Sequence, residues 1–417
     1  MSMSMSPVSP SLSMSFSMSF SMPLRFPMSM SFSMSISLSP PMPPSFSMSP
    51  RCTPPTGPIS EHMLRPIANP PSRFDAPTVD WDEAPDLAHL QIFEDDSQQI
   101  LSRNDSPDLH FRWSVNPYRG CTHACTYCYA RPSHEYLSFG AGTDFETKIV
   151  VKTRAPALLR SAFEGHAWVG ESILFSGNVD CYQPLEHRYR LTRGCLEVCR
   201  DYRNPVAMIT KGALITRDLD VLVALNAVTR LRVSFSIPFW DPAIGRAMEP
   251  GAPTPARRLH AMKVLADAGI TVGINIAPVI PGLNDRDIPA LLRAAAAAGA
   301  TRAGMILVRL PSSVAPYFAQ TLGERLPSRA DGVLARIRRA RSGLLNQASF
   351  GARMRGEGPE WDATEQLFRL WVRKLGLNRV APDAPDGLDP EELPPSTFRR
   401  PGAGVQMGLF GGPAGSW

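Results

Sequence analysis

Between residues 112 and 308 the chain alternates short β-branched runs with longer amphipathic ones, and this alternation limits the fold more than any other feature. Strand-like runs fall at 112–115, 172–175, 206–210, 232–237, 271–277 and 303–308, with helix-length stretches at 155–164, 187–202, 217–227, 255–268 and 286–298 between them. A helix inserted between two strands returns the chain to the same end of the sheet, so successive strands lie parallel with right-handed crossovers. Six such units predict an α/β fold whose parallel sheet curls into an incomplete (β/α)6 barrel. In parallel barrels the loops after the strands carry the functional groups. That rule selects the cysteine loop after the first strand, Ser176-Gly177-Asn178-Val179-Asp180-Cys181 after the second and Thr210-Lys211-Gly212 after the third. It further selects Ser234 and Ser236 on the fourth strand, Asn275 on the fifth and Arg309 after the sixth.

Single α/β barrels commonly take about 250 residues, whereas this chain has 417, of which 43% are hydrophobic. The surplus lies at the ends. Residues 1–58 alternate Met and Ser, broken by Phe and Pro, with Arg25 the one charge before Arg51. Such low complexity cannot specify a packed core, and it has neither the apolar run of a signal peptide nor the arginine-rich pattern of a transit peptide. A disordered extension is expected there. Residues 59–102, polar and acidic, read as an N-terminal arm or linker, and 103–315 as the barrel. Residues 316–380 read as a C-terminal helical segment, with Trp361, Phe368, Trp371 and Leu375 on one stripe of its last helix, and 381–417 as a flexible tail.

Cysteine usage narrows the chemistry. Asn116-Pro117-Tyr118-Arg119-Gly120-Cys121 opens a loop in which Cys121, Cys125 and Cys128 stand within eight residues. A four-iron cubane normally takes four thiolates, so three neighbouring ones leave one iron open to a small molecule. The competing reading is a zinc tetrahedron completed by His123 or Cys181, although structural zinc commonly pairs two separated knuckles and no second knuckle follows Cys128. Cys195 and Cys199 share one helix face, so a second cluster with Cys181 is arithmetically open. Small apolar packing is the plainer reading for that pair. Seven cysteines with three in a ligand motif argue for a reducing compartment rather than a disulfide framework, and a cytoplasmic protein with no membrane partner is expected.

The loop Cys121-x3-Cys125-x2-Cys128, with Tyr127 before its last cysteine, resembles the cluster motif of the radical S-adenosylmethionine (SAM) superfamily. The wider wording, from Arg103-Asn104-Asp105-Ser106-Pro107 to Pro281-Gly282-Leu283-Asn284-Asp285, resembles the branch related to spore photoproduct lyase. The resemblance covers roughly 102–377. It implies a partial (β/α)6 barrel, a [4Fe–4S] cluster on the three cysteines, and SAM chelated at the open iron. It also implies that one electron, from a flavodoxin- or ferredoxin-type donor, cleaves SAM to a 5′-deoxyadenosyl radical. In the family a glycine-rich motif after the second strand meets the SAM amine. Here Ser176-Gly177-Asn178 departs from that pattern, leaving Asp180 as the nearest carboxylate. Lys211 or Arg309 would meet the SAM carboxylate, each being equally readable as a solvated cation. Cys181, by likeness to a lyase cysteine outside the cluster motif, is a candidate hydrogen-atom donor. The alternative is a buried thiol packed under the Tyr182-Gln183-Pro184 turn.

The net charge of +5 permits a nucleic-acid partner without requiring one. Arg336, Arg338, Arg339, Arg341, Arg353 and Arg355 form a basic run that reads either as phosphate contact or as a solvated helix face. Gln406-Met407-Gly408-Leu409-Phe410 resembles the peptide by which bacterial repair proteins dock on the sliding clamp. The sequence therefore points to a radical SAM enzyme acting on nucleic acid, in DNA repair. Two alternatives stay open: radical modification of RNA, protein or a metabolite, and a non-catalytic metal-stabilised nucleic-acid-binding protein.

Overall fold

Strand-forming residues appear in the computed structural model where β-branched runs predict them. It describes residues 90–109, 111–379 and 395–401, all within one compact unit, 77–417. The expected disordered extension at 1–58 and the clamp-like peptide at 406–410 lie outside the described residues. In chain order come β1 (Gln91–Glu94), β2 (Leu101–Arg103), β3 (Trp113–Val115), β4 (Tyr118–Arg119), α1 (Asp144–Thr147), β5 (Lys148–Val151) and α2 (Ala155–Glu164). Then follow β6 (Ile173–Phe175), α3 (Glu186–Tyr189), α4 (Leu191–Asp201), β7 (Val206–Thr210), α5 (Leu219–Asn226), β8 (Leu231–Ser236) and α6 (Pro242–Met248). The last are α7 (Pro255–Asp267), β9 (Thr271–Val279), α8 (Ile288–Ala297), β10 (Arg302–Leu307), α9 (Val314–Arg325), α10 (Pro327–Arg339) and α11 (Pro359–Leu375).

The main sheet has the order β10-β9-β8-β7-β6-β3-β2. Its strands from β3 to β10 run parallel, each beside the one that follows it by a helical crossover, as expected for an incomplete barrel. Strand β2 adds antiparallel to β3 and closes that edge. A second, small sheet of order β1-β5-β4 was not anticipated; it flanks the cysteine loop, because β4 leads directly into Gly120. Alternating inward residues such as Phe175, Met208, Val233, Phe235, Ile274 and Ile276 are buried between sheet and helices. Each fully buried side chain of this size contributes about 1.5–3 kcal/mol.

Two expected helices break for local reasons. The stretch 187–202 divides at Arg190, whose φ of 52° ends α3. The buried Glu186 carboxylate then accepts from the backbone N–H groups of Thr192 (3.0 Å) and Arg193 (3.3 Å), orphan donors at the start of α4. The stretch 217–227 enters as a 3-10 turn over Ala213–Asp218 before α5. In α11 Trp361 is buried, and Phe368, Trp371 and Leu375 pack half-buried against the core. Among the described residues no helix is long and apolar enough to cross a membrane.

Candidate functional site

Gly120 starts the cysteine loop with φ at +79°, and a Cβ there would stand 2.8 Å from the Phe145 carbonyl and 2.9 Å from Ile149 Cδ1. Only glycine fits that bend. Cys121 N donates to Phe145 O (2.9 Å), Ala124 N to Cys121 O (3.2 Å), and Cys128 N to Cys125 O (3.3 Å). These turns spread the three thiols along one short loop at the C-terminal end of β3.

Three segments hold the loop in place, one just after it in sequence and two far from it. Arg131, wholly buried, donates from Nε to Cys125 O (3.0 Å) and from its terminal nitrogens to Ala141 O, Gly142 O and Glu146 (2.7 Å), with its guanidinium 4.2 Å from the Tyr317 ring centroid. Gln183, on the loop after β6, accepts from Thr122 N (3.1 Å) and donates to Gly120 O (3.2 Å). The turn after α6 runs along the opposite side: Thr126 N donates to Met248 O (2.9 Å) and Gly251 N to His123 O (3.2 Å). A side chain on Gly251 would collide with Thr122 O.

Beneath Cys125 lies a buried polar cluster. Glu249 accepts from the Tyr127 hydroxyl, pairs with Arg258, and stands 3.8 Å from Lys211 Nζ. Arg258 also donates to Ser236 O (2.8 Å) and Pro253 O (2.7 Å). Burial alone would raise the Glu249 pKa, but Arg258 and Lys211 outweigh it and hold the carboxyl below its ordinary value. For Lys211 burial opposes the charge, yet Cys125 and Glu249 raise its pKa above the usual value.

The loop after β6 closes a second side. Ser176 adopts a φ of 75°, and its Oγ accepts from Cys181 N (2.9 Å). Gly177 O accepts from the Tyr129 hydroxyl (2.5 Å), and exposed Asn178 donates its N–H to Asn116 Oδ1 (2.9 Å). Asp180 accepts from Tyr182 N (2.9 Å), Thr210 Oγ1 (2.6 Å) and Lys211 N (2.6 Å), with His123 Nδ1 3.4 Å away. Burial would raise its pKa; His123 and these donors hold it well below the carboxylate range. Cys181 is wholly buried in the core, its carbonyl bound by Thr192 Oγ1 (2.7 Å).

The structure thus brings Cys125, Tyr127 and Lys211 together, and separately Asp180, His123 and Thr210. Ser236 is buried, with Oγ donating to Ala277 O (3.1 Å), while Ser234 and Asn275 are half-buried on β8 and β9, and Gly304 leaves room for the Asn275 side chain. Arg309 and Lys211 both act on Tyr129, the Arg309 guanidinium standing 5.7 Å from its ring centroid. Arg131, Gln183, Glu249 and Arg258 are absent from the sequence-derived set. The one cue for Glu249 is the Pro250-Gly251 turn signal that follows it. The basic run 336–355 does not form one surface: Arg341 is buried on the carbonyls of Val308 and Arg353, Arg353 pairs with Asp108 (2.5 Å), and Arg339 pairs with Glu360 (3.1 Å).

The donor set fits a cubane. Cys121, Cys125 and Cys128 are all free. Burial pushes the Cys125 thiol up to about 12 and Cys121 well above its ordinary value, so both keep their protons at neutral pH unless iron takes the proton's place. Among the described residues no three His, Cys, Asp or Glu side chains converge to hold one metal ion, which is the arrangement that the zinc tetrahedron would need. In a cubane each thiolate meets a different iron, so convergence on one point is not required. Cys195 and Cys199 are buried in the apolar core.

Residues 115–295 match the family model described as the Radical SAM superfamily. An uncharacterised protein of Mycobacterium tuberculosis (strain ATCC 25618 / H37Rv) is 39% identical over 221 residues, 52% of this chain and 65% of that one. An uncharacterised protein of Methanocaldococcus jannaschii is 30% identical over 174 residues, 42% of this chain and 62% of its own length. The chain therefore spans somewhat under two thirds of these relatives. Among solved structures the fold is similar to spore photoproduct lyase complexed with dinucleoside spore photoproduct, with a TM-score of 0.51 and 17% identity over 69% of this chain and 80% of that one.

Proposed function

We propose that the chain is a radical SAM enzyme in which Cys121, Cys125 and Cys128 hold a [4Fe–4S] cluster whose fourth iron binds SAM, and that its substrate is a nucleic acid, in DNA repair. The observation that carries the reading is the three-thiol loop at the C-terminal end of the first parallel strand, braced by Arg131, Gln183 and the Met248–Gly251 turn. The cluster, when bound, supplies the electron for reductive cleavage of SAM. The protein's own part is positional. Arg131 fixes the Cys125 carbonyl, and Lys211 sets a cation beside the Cys125 thiolate, where it offsets negative charge and can meet a carboxylate of the bound ligand. Tyr127 and Glu249 hold that cation in place. Ser176, Gly177 and Asn178 form the rim next to Cys128 through Tyr129.

The nucleic-acid part of the reading is supported by likeness of fold to an enzyme solved with a dinucleoside lesion, and by the mild positive charge. Free cysteines in a cluster motif support a reducing compartment, the cytoplasm, and a flavodoxin- or ferredoxin-type reductant. The test is anaerobic reconstitution. Four irons per chain, lost in Cys125→Ala, together with 5′-deoxyadenosine on adding dithionite and SAM, are the expected result. A protein that retains iron in all three cysteine variants, or never cleaves SAM, overturns the reading.

A further inference from the structure

The connection between α10 and α11, residues 340–358, is a long loop without α-helix or strand. Loops of this length in a folded domain are usually functional, serving as lids or binding loops. It is tied down at several points. Arg353 pairs with Asp108 (2.5 Å) and meets Ser106, Gly351 N donates to Asp108 Oδ1 (2.7 Å), and Asn346 Oδ1 accepts from Leu310 N (3.2 Å) just past β10. So tethered, the loop lies at the same end of the sheet as the cysteine loop. The link is direct: Arg309 Nη1 reaches Met354 Sδ (3.7 Å), and the same guanidinium lies over the ring of Tyr129, the residue after Cys128.

Two aromatic rings are open along this line. Tyr129 is 49% exposed and Phe350 is 62% exposed. The Arg353 guanidinium covers one face of Phe350 at 4.4 Å from its centroid, which leaves the ring held flat with area still open to solvent. Arg309 lies over Tyr129 and touches Met354 of the loop that carries Phe350, and its buried Nε makes no hydrogen bond among the described residues. Open aromatic faces alternating with cations are what a single-stranded nucleic acid recognises: bases stack on the rings and phosphates meet the guanidinium. A protein partner would be expected to cover a contiguous apolar patch, and this surface is interrupted by charge.

We propose that Phe350 and Tyr129 are base-stacking platforms and Arg309 a phosphate contact, so that the 340–358 loop grips an unpaired stretch of nucleic acid and presents it to the cysteine loop. The proposal rests on the nucleic-acid reading above and divides the two candidate cations. Lys211 serves the cofactor side and Arg309 the substrate side.

The test is fluorescence-anisotropy titration of the anaerobically reconstituted protein with a labelled mixed-sequence single-stranded oligonucleotide, its duplex, and inorganic polyphosphate as an anion-only probe. Phe350→Ala is expected to weaken single-strand binding about tenfold, the scale of one lost stacking contact, with polyphosphate binding unchanged and Phe350→Trp restoring affinity. Arg309→Gln is expected to lower the salt slope by about one. If the wild type binds the single strand and both variants bind it equally well, the loop is not the grip and the proposal fails while the nucleic-acid reading stands. If the wild type cleaves SAM yet binds no nucleic acid, the substrate reading fails and this proposal with it.

Discussion

At the scale of single residues the site depends on the groups that hold the cysteines as well as on the cysteines themselves. Two cations and a phenol share the Glu249 carboxylate beneath Cys125. Removing the charge from the centre of such a buried set leaves two cations uncompensated, which typically costs about 3–5 kcal/mol. Glu249→Gln should therefore lower the urea midpoint of the purified chain at an unchanged slope; an unaltered midpoint would show that Lys211 and Arg258 find other partners. Cys181 illustrates the reverse case. Its place on a strand-end loop makes it a candidate donor in the sequence, yet its side chain is packed with the core. Cys181→Ala is expected to cost about 1 kcal/mol and to leave the product distribution of turnover unchanged, whereas a hydrogen-atom donor would change it. Rapid alkylation of Cys181 in the native protein would reverse that expectation. Cys121, Cys125 and Cys128 were legible because ligand spacing is local, within eight residues. Gln183 and Glu249 were not, since each meets the loop only through tertiary folding, Tyr127 and Glu249 being 122 positions apart; Arg131 is six residues from Cys125, but no motif marks it.

Among elements, period and length proved sufficient for most of the sheet. The run 206–210 is β7 and 155–164 is α2 at those very bounds, while the other strands moved by one or two residues at their ends. Two features escaped pattern reading. Strands β1, β4 and β5 have two to four residues each, too few to show a period, and they pair through contacts far apart in sequence. The break at Arg190 depends on Glu186 reaching over to cap α4, which composition does not reveal. Arg341 plays a comparable joining role. Buried, it donates to Val308 O (2.7 Å), Arg353 O (3.1 Å) and Arg355 O (3.3 Å), so it fastens the long loop to the end of β10. Arg341→Met should leave those carbonyls without donors, which costs about 1–3 kcal/mol for each buried group left unsatisfied. Hydrogen exchange should then quicken across residues 342–357 and stay unchanged in β7 and β8. Uniform acceleration, or none, would mean that Arg341 does not act as a local fastening.

For the molecule as a whole, the parallel order was readable because each helix forces its flanking strands into the same direction. The edge strand β2 and the small sheet, by contrast, come from segments the pattern left as an arm or as loop. Those additions matter to the site. The small sheet supports Gly120 from behind, and the loop's other supports come from the 3-10 turn Arg131–Leu137 that follows it, from the loop after β6 and from the end of α6. Each of these supports is a hydrogen bond between protein groups. Protein stripped of metal by chelation should therefore keep its far-ultraviolet circular dichroism and a cooperative thermal transition. A spectrum that collapses toward coil on stripping would contradict the packing described here. The contrast is with small zinc modules, in which metal binding and folding are one event. Here the bend of the cysteine loop is set from several sides by protein groups, so a change in any one of those braces should be felt at all three thiols at once.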